Sequence, residues 1–178
     1  GAFMLNIDIV MLGFLKTADD VGLYSAGQKI IQILYVLPSI LAASLYPAFA
    51  KFIGQGDNEK VKNLMEKGIA SSLLLAIPIV IGGIILSTNI IQFLYGEAYS
   101  SGVLSFQILL FTVLITFPAT HLSNYIMAYD KQKKMPLIVL AGSLGNVAFN
   151  ALLIPTYGPA GAAIATVGAQ LLINGLTW

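Results

Sequence analysis

Residues 68–95 read GIASSLLLAIPIVIGGIILSTNIIQFLY, with no Asp, Glu, Lys or Arg among them. As a helix rising 1.5 Å per residue the stretch covers about 42 Å, more than the roughly 30 Å hydrocarbon core of a bilayer. The pattern repeats on both sides: residues 30–50, 98–129 and 135–178 are equally free of these four residue types. Across the chain 57% of residues are hydrophobic and 10% are charged, against about a quarter charged in an average soluble domain. The sequence therefore predicts an all-α membrane protein. A net charge of +1 without a basic block leaves no footprint for nucleic acid, and the absence of cysteine excludes disulfides, thiolate metal sites and Cys nucleophiles.

Punctuation divides the apolar material into six spans, 1–15, 23–52, 68–95, 103–129, 135–155 and 160–178. The last two are separated by Pro155, Gly158 and Pro159, residues that end helices and make turns. The first span is too short to cross on its own, and the chain opens Gly-Ala-Phe in mid-helix, so a longer protein is expected. Lysines set the orientation, because short cytoplasmic loops hold an excess of them. Lys51, Lys60, Lys62 and Lys67 fall in one connection and Lys131, Lys133 and Lys134 in another on the same side, whereas the opposite loops hold only Lys16. Both ends of the segment are then cytoplasmic, in a multi-pass protein of the cell membrane. Tyr24, Tyr95, Tyr99, Tyr129, Tyr157 and Trp178 lie near span ends, as interfacial aromatic belts require. In the first lysine-rich loop, Asp57 is placed to N-cap a short amphipathic surface helix over 59–67, with Val61, Leu64 and Met65 toward the membrane.

Nothing in the chain resembles a hydrolytic or transfer centre. There is one histidine, the acidic residues are scattered, and no metal-ligand spacing, nucleophile elbow or phosphate-cradling loop is present, so no enzyme and no cofactor are expected. The informative residues are polar ones inside apolar helices, which are costly in lipid and face a bundle interior or a water-filled cavity. Asp8 sits about 12 Å deep from Lys16. It is either a structural tie between helices or a group that titrates or binds a cation, a proton or a sodium ion. On the second span Ser25, Gln28, Lys29, Gln32 and Ser39 recur at helical spacing and form a polar stripe. Asp8 and Lys29 fall at similar depths and could pair; alternatively Lys29 snorkels to the interface. His121, with Thr116, Thr120, Ser123 and Asn124 nearby, is expected to make an interhelical hydrogen bond. Gly142, Asn146 and Asn150 share one face, and Gly161, Ala165 and Ala169 form a small-residue stripe, both suited to close helix packing. Pro38, Pro47, Pro78 and Pro118 lie inside spans, where they permit kinks.

The sequence resembles a known family in ordered pieces: Asp8-Ile9-Val10-Met11-Leu12-Gly13, then Val21-Gly22-Leu23-Tyr24-Ser25-Ala26 with Lys29-Ile30, then Leu45-Tyr46-Pro47-Ala48-Phe49. Phe93-Leu94-Tyr95-Gly96-Glu97-Ala98-Tyr99 follows, and finally Asn150-Ala151-Leu152-Leu153-Ile154-Pro155 with Gly158, Gly161-Ala162-Ala163 and Ala165-Thr166. Together they resemble the polysaccharide-biosynthesis (Wzx-type) flippases of the multidrug, oligosaccharidyl-lipid and polysaccharide exporter superfamily. The resemblance implies one six-helix bundle, the C-terminal half, of a two-bundle MATE-like transporter whose N-terminal half is missing here. It implies alternating access, an ion gradient as driving force, a polyprenyl-pyrophosphate-linked oligosaccharide as substrate, and polysaccharide polymerase machinery as a partner. Asp8 is then the candidate for ion coupling, and Lys29, Gln28, Gln32, Ser25 and Asn124 are the candidates for lining the substrate cavity. The cavity of many such flippases carries basic residues, commonly arginine, whereas this chain has no arginine.

Three functions compete on this evidence: a lipid-linked oligosaccharide flippase; a cation-coupled drug exporter or peptidoglycan-precursor flippase of the same superfamily; and a non-transporting membrane scaffold for glycan synthesis. An acidic cavity would favour drug export. Tolerance of charge changes at Asp8 and Lys29 would favour a scaffold.

Overall fold

A computed structural model describes residues 4–129, 133 and 135–177. Lys131, Lys134, Trp178 and the first three residues of the predicted opening span lie outside them. The described chain is helical nearly throughout: α1 (Met4–Leu15), α2 (Ala18–Leu34), α3 (Val36–Gly54), α4 (Asn58–Ile85), α5 (Ser87–Tyr95), a 3-10 turn (Glu97–Gly102), α6 (Val103–Ala128) and α7 (Met135–Thr177). Four stretches are long and apolar enough to cross a membrane: Ala18–Gly54, Asn58–Ile85, Glu97–Met127 and Met135–Thr177. Exposed Leu74, Ile77, Ile81 and Phe93, with Leu137, Leu140, Leu144 and Leu152 on α7, form apolar surface that a bilayer accepts and water does not. The protein is a multi-pass membrane protein.

Helix boundaries follow from local chemistry. The second span begins at Ala18 rather than at residue 23, because Thr17 and Asp20 form a capping box: the Thr17 hydroxyl accepts from the Asp20 amide and the Asp20 carboxylate accepts from the Thr17 amide. Asp19 and Asp20 thereby sit in the first helical turn, where the macrodipole favours them. The same span is interrupted at Tyr35. Pro38 lacks the N–H that would reach the Leu34 carbonyl, and its ring crowds that oxygen, so α2 ends at Leu34 and α3 starts anew.

Asp57 does cap α4, its carboxylate accepting from the Lys60 amide at 3.1 Å. The expected separate surface helix over 59–67 is, however, the opening of α4 itself, which continues unbroken to Ile85. Val61 is buried there rather than turned to the membrane, and with Asn58 and Met65 it faces Tyr125 and Tyr129 at the end of α6. A second break at Leu86 separates α4 from α5. Gln107 of α6 reaches into it, donating to the Ser87 hydroxyl at 2.7 Å, while Ser87 donates to the Ile84 carbonyl at 2.8 Å.

The 43 residues of α7 are two arms folded against each other. Gly158 has φ 54° and ψ −131°, a backbone that L side chains rarely adopt, and Pro155 and Pro159 flank it. Gly142 lies against Ile173, Gly145 against Leu172, Gly168 against Phe149 and Gly161 against Leu153. These pairs close in on Gly158, so the arms are antiparallel. At Gly161 one arm meets the backbone of the other: a Cβ there would lie 2.4 Å from the Leu153 carbonyl oxygen. The buried Gly161, Ala165 and Ala169 stripe does serve close packing. Helix α6 is central, packed on α2, α3, α4 and α7, while α1 rests on α7 and α2. Phe106, Leu109, Leu110, Val113 and Phe117 of α6 meet Leu12, Tyr24, Ile91 and Ile154 in the core.

Candidate functional site

Asp8 is 1% exposed, and its carboxylate gathers three helical segments besides its own. Oδ2 accepts from the Tyr24 hydroxyl of α2 at 2.9 Å and from the Thr166 hydroxyl of the second α7 arm at 2.9 Å, a hydrogen that Thr166 shares with the Ala162 carbonyl at the same distance. Oδ1 accepts from the Asn150 amide of the first arm at 2.5 Å. Asn150 donates its other amide hydrogen to Asn146 Oδ1, 3.0 Å away and one turn earlier. The Asn150 Oδ1 is buried without a hydrogen-bond partner. Every donor on the carboxylate is a neutral group. Three hydrogen bonds offset part of the cost of burying a carboxylate, and among the described residues no basic side chain pairs with it. Carboxylate, amide and hydroxyl oxygens within one buried cluster are the donor set that suits a proton or a hard monovalent cation.

The expected Asp8–Lys29 pair does not form. Lys29 is exposed, and the ion pairs among the described residues are Lys60–Asp57 at 2.6 Å and Lys62–Glu66 at 3.8 Å. Neither depth nor direction matches: Lys29 lies five residues past Tyr24, about 7.5 Å further along the helix and about 140° round it from the side chain that meets Asp8. Gln28, four residues past Tyr24, is buried on nearly the same face as that tyrosine. Ser25 is half-buried.

Tyr24 itself, assigned from sequence to the interfacial belt, is fully buried. Asn146 and Asn150 were legible only as packing positions, and Thr166 only as part of the motif Ala165-Thr166. The available signal was polarity: two amides four residues apart in an apolar arm, facing a small-residue stripe that carries one hydroxyl.

Gln32 and Asn124 lie elsewhere, in an open groove formed by two adjoining cavities. One, about 460 Å³, is lined by Gln32, Tyr35, Val36, Ser39, Ile40 and Ala43. The other, about 400 Å³, is lined by Ser39, Ala43, Tyr46, Thr120, Asn124 and Met127. The groove runs along α2 and α3 with α6 as its far wall. His121, close by on α6, faces away from it, bonding Ser72 of α4 through Nε2 at 2.6 Å, the expected interhelical link.

Residues 2–104 match the family described as polysaccharide biosynthesis protein. Among curated proteins the chain is similar to a probable flippase, AglR, of Haloferax volcanii, 27% identical over 169 residues that cover 93% of this chain and 35% of the relative. It is similar to the probable low-salt glycan biosynthesis flippase Agl15 of the same organism, 20% identical over 168 residues, with 93% and 35% covered. A putative O-antigen transporter of Shigella flexneri is 26% identical over 168 residues, with 90% and 38% covered. The chain thus spans a little over a third of the length of these relatives, each named as a flippase or transporter rather than an enzyme. The match to residues 2–104 runs from the opening helix into α6 and takes in more than half of the sequence; the chain belongs to the polysaccharide biosynthesis protein family, the Wzx-type group that its ordered motifs resemble.

Proposed function

We propose that this chain is a six-helix bundle of a flippase that carries a lipid-linked oligosaccharide from the cytoplasmic to the outer leaflet by alternating access, driven by a proton or sodium ion acting at Asp8. Counting α1, α2 with α3, α4 with α5, α6 and the two arms of α7 as one crossing each makes six. Lys51, Lys60, Lys62, Lys67 and Lys133 then mark the cytoplasmic side, with both ends of the segment on it. A second bundle, from the part of the protein beyond this chain, completes the central cavity, and polymerase machinery receives the product.

The observation that carries this proposal is the buried Asp8 carboxylate, held by α2 and both α7 arms through neutral donors only. Adding a cation or proton there changes what Tyr24, Asn150 and Thr166 can bond, and so biases how three helical segments pack. In this scheme Ser25, Gln28, Lys29, Gln32 and Asn124 contact substrate. Export of drug-like cations draws less support, since no carboxylate lines the groove among the described residues.

The test uses cells lacking the full-length gene, with lipid-linked oligosaccharide measured leaflet by leaflet. Inner-leaflet accumulation and loss of surface glycan, relieved by the wild-type gene but not by an Asp8→Asn variant that still inserts, is expected. Normal surface glycan without accumulation, in cells with no second flippase, overturns the proposal.

A further inference from the structure

The groove between Gln32 and Asn124 carries no charged side chain among its described lining residues, yet six of them are polar: Gln32, Tyr35, Ser39, Tyr46, Thr120 and Asn124. These groups lie within apolar helices, where lipid contact would be costly, so the groove is turned toward water or substrate. Their hydrogen-bonding state is specific. Ser39 and Thr120 spend their hydrogens on the Tyr35 and Thr116 carbonyls of their own helices, at 2.9 and 2.8 Å, leaving oxygen lone pairs for an incoming donor. The amides of Gln32 and Asn124 and the Tyr46 hydroxyl make no hydrogen bond to the described residues, and each offers both a donor and an acceptor.

We infer that this groove binds the sugar portion of the substrate, and that the sugars it contacts are uncharged; this rests on the flippase reading above. A sugar hydroxyl both donates and accepts, and it can meet every group in the groove. A phosphate or a uronate carboxylate only accepts. It would find the Ser39 and Thr120 oxygens repulsive and no cationic side chain among the described lining residues. Tyr46, 40% exposed, adds an aromatic ring to the lining, a surface on which the C–H face of a hexose can lie. The diphosphate is therefore recognised away from this wall.

The test measures transport by full-length protein in membrane vesicles, with three free competitors: an uncharged hexose oligosaccharide, an oligogalacturonate and inorganic pyrophosphate. Gln32→Leu and Asn124→Leu are expected to raise the half-inhibiting concentration of the uncharged oligosaccharide by about fivefold, the scale of one lost hydrogen bond, and to leave that of pyrophosphate unchanged. Asn124→Lys, which adds a cation without emptying the groove, is expected to make oligogalacturonate the better competitor. Equal weakening of pyrophosphate, or wild-type preference for oligogalacturonate, overturns the inference. If wild-type vesicles move no lipid-linked oligosaccharide, the flippase reading fails on its own. Binding of the uncharged oligosaccharide to solubilised full-length protein, lost in Asn124→Leu, would then uphold the groove, and absence of binding would overturn it.

Discussion

The ammonium of Lys16 donates to the main-chain carbonyl of Pro155 at 2.9 Å. That oxygen is the one a helix would hand to the amide of residue 159, and residue 159 is a proline with no amide hydrogen. Lys16 supplies the missing donor and ties the α1–α2 turn to the tip of the α7 hairpin. Lys16→Met should lower the stability of the solubilised full-length protein by about 1 kcal/mol, the ordinary net worth of a hydrogen bond, since the site is partly open to solvent. Lys16→Arg should keep most of it. Thermal unfolding of the two variants side by side checks this.

At Asp8, stability and function should part company. Asp8→Asn keeps the side chain's shape and removes a buried charge, so the melting temperature should hold or rise while coupled transport is lost. Tyr24→Phe should do the reverse in stability, costing about 1–3 kcal/mol because the carboxylate loses a donor it cannot replace with water. A destabilised Asp8→Asn would show that the carboxylate is mainly a structural tie.

The α7 hairpin separates glycines by what they face. Gly161→Ala drives a methyl group into the Leu153 carbonyl, which is backbone and cannot yield, so a loss of about 1–3 kcal/mol is expected. At Gly145 a Cβ would meet Leu172 at an ordinary 3.6 Å, and alanine there should be neutral or stabilising by up to about 1 kcal/mol through helix propensity. Chemical denaturation of both variants reads the sign.

Asp57 offers a pH test outside the membrane span. Hydrogen bonds from the Lys60 side chain and amide hold its carboxyl below the ordinary carboxylate range. A depressed folded value means the contribution is whole above the unfolded value, about 3.9, and fades as pH falls through the folded one. Protection of the first-turn amides of α4 against hydrogen exchange, taken relative to the intrinsic exchange rate at each pH, should therefore fall below that point, and Asp57→Asn should flatten the response.

The membrane class, the His121 bridge and the 155–159 reversal could all be read from the chain, because each rests on local composition or punctuation. The break at Tyr35 was legible only as a kink site, since Pro38 crowds the carbonyl four residues earlier but Pro47, Pro78 and Pro118 sit inside unbroken helices. The Asp8 site was half legible. Its depth follows from counting residues to Lys16, but its partners Asn150 and Thr166 come from the distant α7 arms, and no local periodicity reaches that far. Tyr24 was misassigned for the same reason: a tyrosine near a helix start suits an interface equally well until a carboxylate on a neighbouring helix claims it. Lys29 shows that a depth counted from the turn does not make a pair: the tyrosine five residues earlier, on another side of the helix, is the one that meets Asp8.

The distance in sequence between Asp8 and its partners has a consequence for biosynthesis. Asn150 and Thr166 are made long after α1, about 7–30 s later at ordinary elongation rates of about 5–20 residues per second. Throughout that interval α1 carries a carboxylate whose cost at a membrane-helix centre is about 3 kcal/mol, and Tyr24, sixteen residues on, is the one member of the final cluster already synthesised. The nascent protein therefore has to shelter α1, against the translocation machinery or against α2, until the α7 hairpin arrives to close the site.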